Sequence, residues 1–232
     1  MYKTLLITII LFSQLSQAEP YRISGGKGNM AQVIASKVLQ KAYARAGIKM
    51  QPVFLNLEES LQKTNAGEND GELARIAKIT KLYPNLRQVP VSVVSVEAVA
   101  FSKNKSLKID RWEDLQNHKV TIVKGAKFIE ASMKEIPKAF SVNFSDAFNK
   151  LDKGQTEIVV VPKLAGWYMI YKNKYKDISM VSSSLKTMKL YHFLHKKNAD
   201  LIPLLTPYLQ KMADSGEIAY IRNAQIRNFS SD

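Results

Sequence analysis

The chain contains no cysteine. That excludes disulfide staples, thiol nucleophiles and cysteine-ligated metals. It also excludes the acylated cysteine that follows the leader of a lipoprotein. Histidine occurs three times, as His118, His192 and His195. The last two fall in a strand-like run and point to opposite or skewed faces, so core or surface roles suit them better than metal ligation. No phosphate loop or dinucleotide fingerprint is present, nor a nucleophile elbow. Acidic residues are few: 20 Asp and Glu stand against 34 Lys and Arg, for a formal charge of +14. The lysines are scattered, with no zinc-finger spacing, RNP motif or dense basic run, so nucleic acid is not the expected partner. A solvated basic surface with a mild bias toward acidic ligands is expected instead.

Long apolar runs are equally scarce. The single candidate, Thr4 to Phe12, is too short to span a bilayer comfortably. With Lys3 ahead of it and Ser16-Gln17-Ala18 behind, it reads as a signal peptide over residues 1–18, a retained anchor being the alternative. The mature chain would begin near Glu19 in the periplasm. Loss of Lys3 lowers the formal charge by one, to +13. The remaining length suits one large core or two lobes of modest size.

Along that length, strand and helix signals alternate. Tyr21 to Ser24 is a strand candidate, stopped by Gly25-Gly26-Lys27-Gly28. Met30 to Ala46 has helical periodicity, with Asn29 as N-cap and Gly47 as stop. The glycines therefore join a strand to a helix N-terminus, where unpaired N–H groups suit an anion; a flexible loop is the plainer alternative. Lys49 to Leu55 reads as a strand, Leu57 to Thr64 as a helix and Val89 to Ser102 as a β-branched strand, with Pro90 at an edge or entry point. Short helices and strands then alternate to Tyr171. Lys189 to His195 is an aromatic strand candidate. Ala199 to Met212 is an amphipathic helix that Pro203 and Pro207 are expected to break or kink. Asn228 to Asp232 reads as a frayed tail.

The most informative stretch is Gly67 to Ile76. Asn69-Asp70-Gly71 is a strong turn signal, leading into Glu72 and Arg75. Arg offers a planar fork of donors that suits a carboxylate; a surface Glu72–Arg75 pair of little value is the alternative. Read with Glu58 to Leu61 before it and Tyr83 to Pro90 after it, the stretch resembles the first lobe of the family 3 extracellular solute-binding proteins. Trp112-Glu113-Asp114-Leu115, followed by the Val120–Gly125 strand and turn, resembles their second lobe. The resemblance implies an α/β fold of two lobes, each a mixed sheet flanked by helices, joined by two crossovers. Lobe one would be 19–100 plus 195–232, and lobe two 101–194. Ser95 to Ser102 and Lys189 to His195 match the crossovers.

It also implies a function. The expected protein is a periplasmic receptor, a monomer without cofactor, that closes on a small polar or anionic solute. It would serve an ABC permease or a membrane sensor. Arg75 would hold an acid group, with backbone donors at Gly25-Gly26 and Gly125-Ala126. Ser24 and Lys127 border the same positions. A few relatives are dehydratases, which need a catalytic acid such as Glu59 or Glu72; no enzyme is expected here. Three departures bear on the ligand. Glu59 stands near where relatives carry an Arg. Ala126-Lys127 replaces the Ser or Thr usually offered to a carboxylate. Pro162 replaces the Asp that commonly holds the ligand ammonium. The ligand is then not a standard α-amino acid, or the cleft is rewired around Glu59, Glu72 or Asp70.

Overall fold

The computed structural model describes residues 19–231, with side chains to 227, so the leader read over 1–18 lies outside the described residues. In chain order the elements are β1 (Tyr21–Gly26), α1 (Met30–Arg45), β2 (Met50–Leu55), α2 (Leu57–Ala66), β3 (Gly71–Ile76) and β4 (Leu86–Ser102). Then come β5 (Val120–Val123), α3 (Lys127–Ser132), β6 (Ala139–Ser141), α4 (Phe144–Asp152), β7 (Ile158–Pro162), α5 (Lys163–Asn173) and β8 (Ser179–Met180). The chain returns through β9 (Lys186–His195) to α6 (Leu201–Asp214) and α7 (Glu217–Ser231). Among the described residues, no helix is long and apolar enough to cross a membrane.

The sheet order is β2-β1-β3-β9-β4-β7-β5-β6, with β8 on β4. The sequence suggests one sheet per lobe; hydrogen bonding instead makes one continuous mixed sheet. The reason is the length of β4 and β9. Near its start β4 pairs with β9 at Leu86↔His195, then at Val96↔Met188, and Ala98 to Phe101 pairs with β7. One strand thus belongs to both halves. Pro90, which cannot donate to a ladder, sits exposed in the stretch between Gln88 and Ser92 where the register slips. The parallel strands β5 and β7 are buried along their whole length, as expected for strands covered on both faces. A single apolar cluster runs through both halves, with a smaller one around Leu61, Ile79, Tyr83, Leu86 and Phe193.

Three local expectations change. Gly25 and Gly26 are not loop residues but the end of β1, and the turn falls at Lys27–Gly28. Glycine is needed there for close packing: a Cβ on Gly26 would collide with Leu57, and one on Gly25 would lie 2.6 Å from Gln32 Oε1. Second, α6 is continuous through Pro207. Pro203 lies in its first turn, where an N–H has no partner within the helix anyway. Third, α7 carries helical backbone to Ser231, through much of the supposed tail. Its Glu217 ties it to α1 through Arg45 at 2.7 Å and Lys41 at 3.3 Å.

His192 is fully buried between Tyr43 Oη, 2.9 Å from Nε2, and the Glu72 carbonyl, 2.7 Å from Nδ1. A carbonyl only accepts, so Nδ1 carries the proton and Tyr43 donates to Nε2. Burial drives the imidazole pKa from 6.5 to about 4, against the weaker opposing effect of the Glu72 carbonyl. The unfolded chain therefore takes up a proton below about 6.5 that the folded one refuses. Stability is present above that pH and falls as the pH drops through the window. Between pH 7.5 and 5.0 the loss should be about 2 kcal/mol by urea denaturation. His192→Gln should flatten that slope; an equal slope in the variant would assign the loss to other groups.

Candidate ligand cleft

The strand that carries Glu72 and Arg75 is interrupted between them. Glu72 faces Phe193 and Arg75 faces Tyr191, three residues of β3 against two of β9. In a regular strand, residues three apart point to opposite faces. The extra residue, a β-bulge, turns Arg75 back toward Glu72. Arg75 Nε then donates to Glu72 Oε2 at 2.6 Å. The pair is not a surface one: Glu72 is 0% exposed and Arg75 5%.

Helix α2 supplies the rest of the carboxylate's partners. Its inward stripe is Leu57, Ser60, Leu61 and Thr64, two apolar and two hydroxyl positions at helical spacing. Ser60 and Thr64 donate to Glu72 Oε1 at 2.7 and 2.9 Å, and Ser24 from β1 does so at 3.1 Å. Both oxygens are thus satisfied inside the protein. Ser24 and Glu72, expected at the ligand, form this buried anchor instead.

The cleft itself lies at the carboxyl ends of the parallel strands, the place where α/β sheets commonly bind ligands. It holds a cavity of about 40 Å³. One half contributes Asn29, Gln32, Leu57, Ala74, Arg75, Ile76 and Ile79; Val96 and Leu190 come from the crossing strands. The other half contributes Gly125, Ala126, Lys127, Phe128 and Pro162. Of the expected residues, Arg75, Gly125, Ala126, Lys127 and Pro162 meet here. Gly25 backs onto the lining residue Gln32, and Gly26 onto Leu57. Glu59 is half-exposed and pairs with Lys63 at 3.5 Å. Asp70 caps the far end of the sheet, accepting from Arg22 N at 2.9 Å and Asn198 Nδ2 at 3.0 Å. Asn29, read in the sequence only as the cap of α1, and Gln32 were not expected at the ligand; their place at the first turn after a strand was the available signal.

The two halves touch directly. Lys127 Nζ reaches Glu58 Oε2 at 2.7 Å and Glu130 Oε2 at 3.0 Å. Tyr83 donates to the other Glu58 oxygen at 2.9 Å. Burial opposes ionisation of Glu58, but Lys127 and Tyr83 outweigh it and hold its carboxyl below the ordinary range. Burial likewise opposes the Lys127 charge, and the two glutamates outweigh it. Gly125, at φ 91, lies so close that a Cβ would stand 2.5 Å from the Glu58 amide nitrogen. An ion pair and a backbone contact between the two halves therefore close the cleft.

The architecture matches solved structures. An ancestral arginine-binding protein bound to arginine superposes with a TM-score of 0.76 at 15% identity, over 89% of this chain and 97% of its own. The fold is the periplasmic-binding-protein fold. A histidine kinase sensor domain similar to periplasmic binding proteins gives 0.75 at 16% identity, over 89% of this chain and 96% of its own. The substrate-binding protein of an amino acid ABC transporter gives 0.73 at 16%, over 90% of this chain and 100% of its own. By sequence, an uncharacterized protein of Shewanella oneidensis is 21% identical over 189 residues, 78% of this chain and 72% of that protein. No protein-family model matches the chain.

Two substitutions test this architecture. Glu72→Ala leaves Arg75 buried without its partner and should cost about 3–5 kcal/mol in urea denaturation. Glu59→Ala, which breaks an exposed pair, should cost under about 0.5 kcal/mol; equal costs would remove the anchor from the argument. Glu58→Gln should loosen closure. The chain has no cysteine, so spin labels at Glu59→Cys and Lys134→Cys can span the cleft. A longer, broader distance distribution in the Glu58→Gln background is expected; an unchanged one would mean that the ion pair does not hold the halves together.

Proposed function

We propose that the chain is a periplasmic solute-binding protein that captures a small anionic solute by closing its lobes, for delivery to an ABC importer. The lobes are taken as 19–100 with 195–232, and 101–194. The observation that carries the reading is the cavity between the two halves with Arg75 in its wall. Arg75 has five N–H donors. Nε goes to Glu72 and one Nη2 proton to the Leu57 carbonyl at 3.1 Å. The remainder suit an acid group on the cavity side. Closure is favoured by a solute only through contacts that the closed form makes better than the open one, and a site built from both halves meets that condition.

A sensory role is the second reading, supported by the likeness to a kinase sensor domain. The leader read over 1–18 supports export, and the cleft is lined by residues of one chain, which suits a monomer. Among the described residues, no group of three or more His, Asp or Glu side chains could hold a metal ion.

The test is a thermal-shift screen of the protein from Glu19 onward against organic acids, amino acids, polyamines and peptides. A solute that binds only the folded chain raises the melting temperature, by about 2.7 kcal/mol of stability at a hundredfold excess over Kd. Organic acids should give the shift, and Arg75→Lys should weaken it at least about tenfold, because a point charge cannot replace the fork. A screen without any shift would count against solute capture and leave the sensory role with a protein partner.

A further inference from the structure

Lysines that lie scattered in the sequence are gathered by the fold. The parallel strands β5 and β7 end at the cleft. Their starts, the last residues of β4 and the C-terminal ends of α4 and α5 therefore lie together at the opposite pole of the second half. Printed contacts tie these ends to one another. Lys103 Nζ donates to the Asp152 carbonyl at 2.9 Å. Tyr175 Oη donates to Asn149 Oδ1 at 2.8 Å, and its ring stacks on Phe148 with centroids 6.1 Å apart. Ser102 pairs with Ser179, which brings 176–178 beside the turn after β4.

Lys105 follows β4, Lys153 caps α4, and Lys172, Lys174 and Lys176 close α5; all five are exposed. Acids on these segments are few. Asp152 pairs with Lys103 at 3.8 Å and Glu157 with His118 at 2.9 Å, which leaves Asp177. Among the described residues, Lys105, Lys153, Lys174 and Lys176 have no ion-pair partner. A lysine at a helix C-terminus complements the helix dipole. That accounts for one lysine at each of two helix ends, not for five. Lys174, at φ 55, even holds the left-handed cap position where Gly or Asn is usual, so its charge is carried at a backbone cost.

Aromatic rings adjoin the lysines. Trp167 and Tyr171, one turn apart on the outer face of α5, are 39% and 44% exposed. Trp167 rests edge-on against Phe101 at 5.8 Å. Rings with an apolar body and a polar edge suit the boundary between water and lipid. Lysine stems can lie along apolar surface while their ammonium groups stay in water. The choice of lysine also bears on the partner. An arginine fork suits one fixed carboxylate or phosphate, whereas flexible point charges suit a negative surface without fixed geometry.

We infer that this pole docks on an anionic lipid surface, with Lys105, Lys153, Lys172, Lys174 and Lys176 among phosphate headgroups and Trp167 and Tyr171 at headgroup depth. The cleft lies at the other ends of the same strands, so docking leaves it open to solute. Each lysine near such a surface strengthens adsorption about fivefold, and salt screens the attraction.

Co-sedimentation of the protein from Glu19 onward with vesicles of equal parts phosphatidylglycerol and phosphatidylcholine tests the docking. Binding is expected at low salt, with a steep fall as salt rises and none to pure phosphatidylcholine. Lys105→Gln, Lys153→Gln, Lys174→Gln and Lys176→Gln together should weaken it about a hundredfold or more. Lys37→Gln, Lys49→Gln, Lys78→Gln and Lys81→Gln remove the same charge from exposed positions of the first half and should weaken it less than about tenfold. Melting curves check the folding of both variants. Trp112→Phe leaves Trp167 as the single tryptophan, and its emission should shift to the blue on the charged vesicles. No binding to those vesicles, equal binding to pure phosphatidylcholine, equal loss in the two lysine variants or an unshifted Trp167 emission would each overturn the docking.

Discussion

The carboxylate of Glu72 has no access to water, and the structure around it is arranged to replace that water. Three hydroxyls and one guanidinium take its lone pairs. They come from β1, α2 and β3, so satisfying one buried charge fixes three elements against one another. Its own main-chain carbonyl accepts from His192, which adds β9. Such a pair contributes little net stability against an apolar replacement, yet losing one partner is expensive. What it provides here is position. Arg75 is held by Glu72 on one edge and by the Leu57 carbonyl on the other, so its remaining donors are presented to the cavity without rotamer freedom to lose.

That wall faces the second half across the cleft. β4 and β9 carry the connection between the halves as paired strands, and their register is irregular between Gln88 and Val94. Closure is opposed by burying Glu58 and Lys127 and favoured by their 2.7 Å contact, with Tyr83 and Glu130 completing the partners. The balance between those terms is small by nature. On the function proposed above, a solute with modest differential affinity is enough to favour the closed form.

Sequence made the alternating α/β order and most element positions visible, because hydrophobic periodicity and caps are local. Asn29, for example, caps α1 as its position before the apolar run suggested. What sequence hid depended on three-dimensional register. Glu72 and Arg75 looked like a surface ion pair or a ligand fork. They are a buried pair only because a bulge places three residues of β3 against two of β9. Ser60 and Thr64 were not read as site residues, although hydroxyls on the inward stripe of α2 signal a buried charge nearby. Gly25 and Gly26 looked like an anion loop; side chains reaching from α1 and α2 explain them instead. In the second half, Gly125, Ala126, Lys127 and Pro162 could be placed at strand ends, and strand ends are where the cleft lies.

Net charge does not explain the expected selectivity. Around the cleft, Arg75, Lys127 and the nearby Lys124 oppose Glu58, Glu72 and Glu130, which leaves the neighbourhood formally neutral. The excess of basic residues elsewhere can raise the encounter rate of an anion, but at ordinary ionic strength that field fades over about 8–10 Å. Discrimination must come from direction. Each nearby acid already accepts from a protein donor, whereas Arg75 keeps N–H groups without a protein acceptor and the Asn29 amide lies in the cavity wall with only its Oδ1 engaged. A site of neutral total charge can therefore prefer an anion, because its negative ends are turned inward to the protein and its positive ends toward the ligand. Pro162 completes that polarity by putting an apolar ring at a strand end where a carboxylate would reverse it.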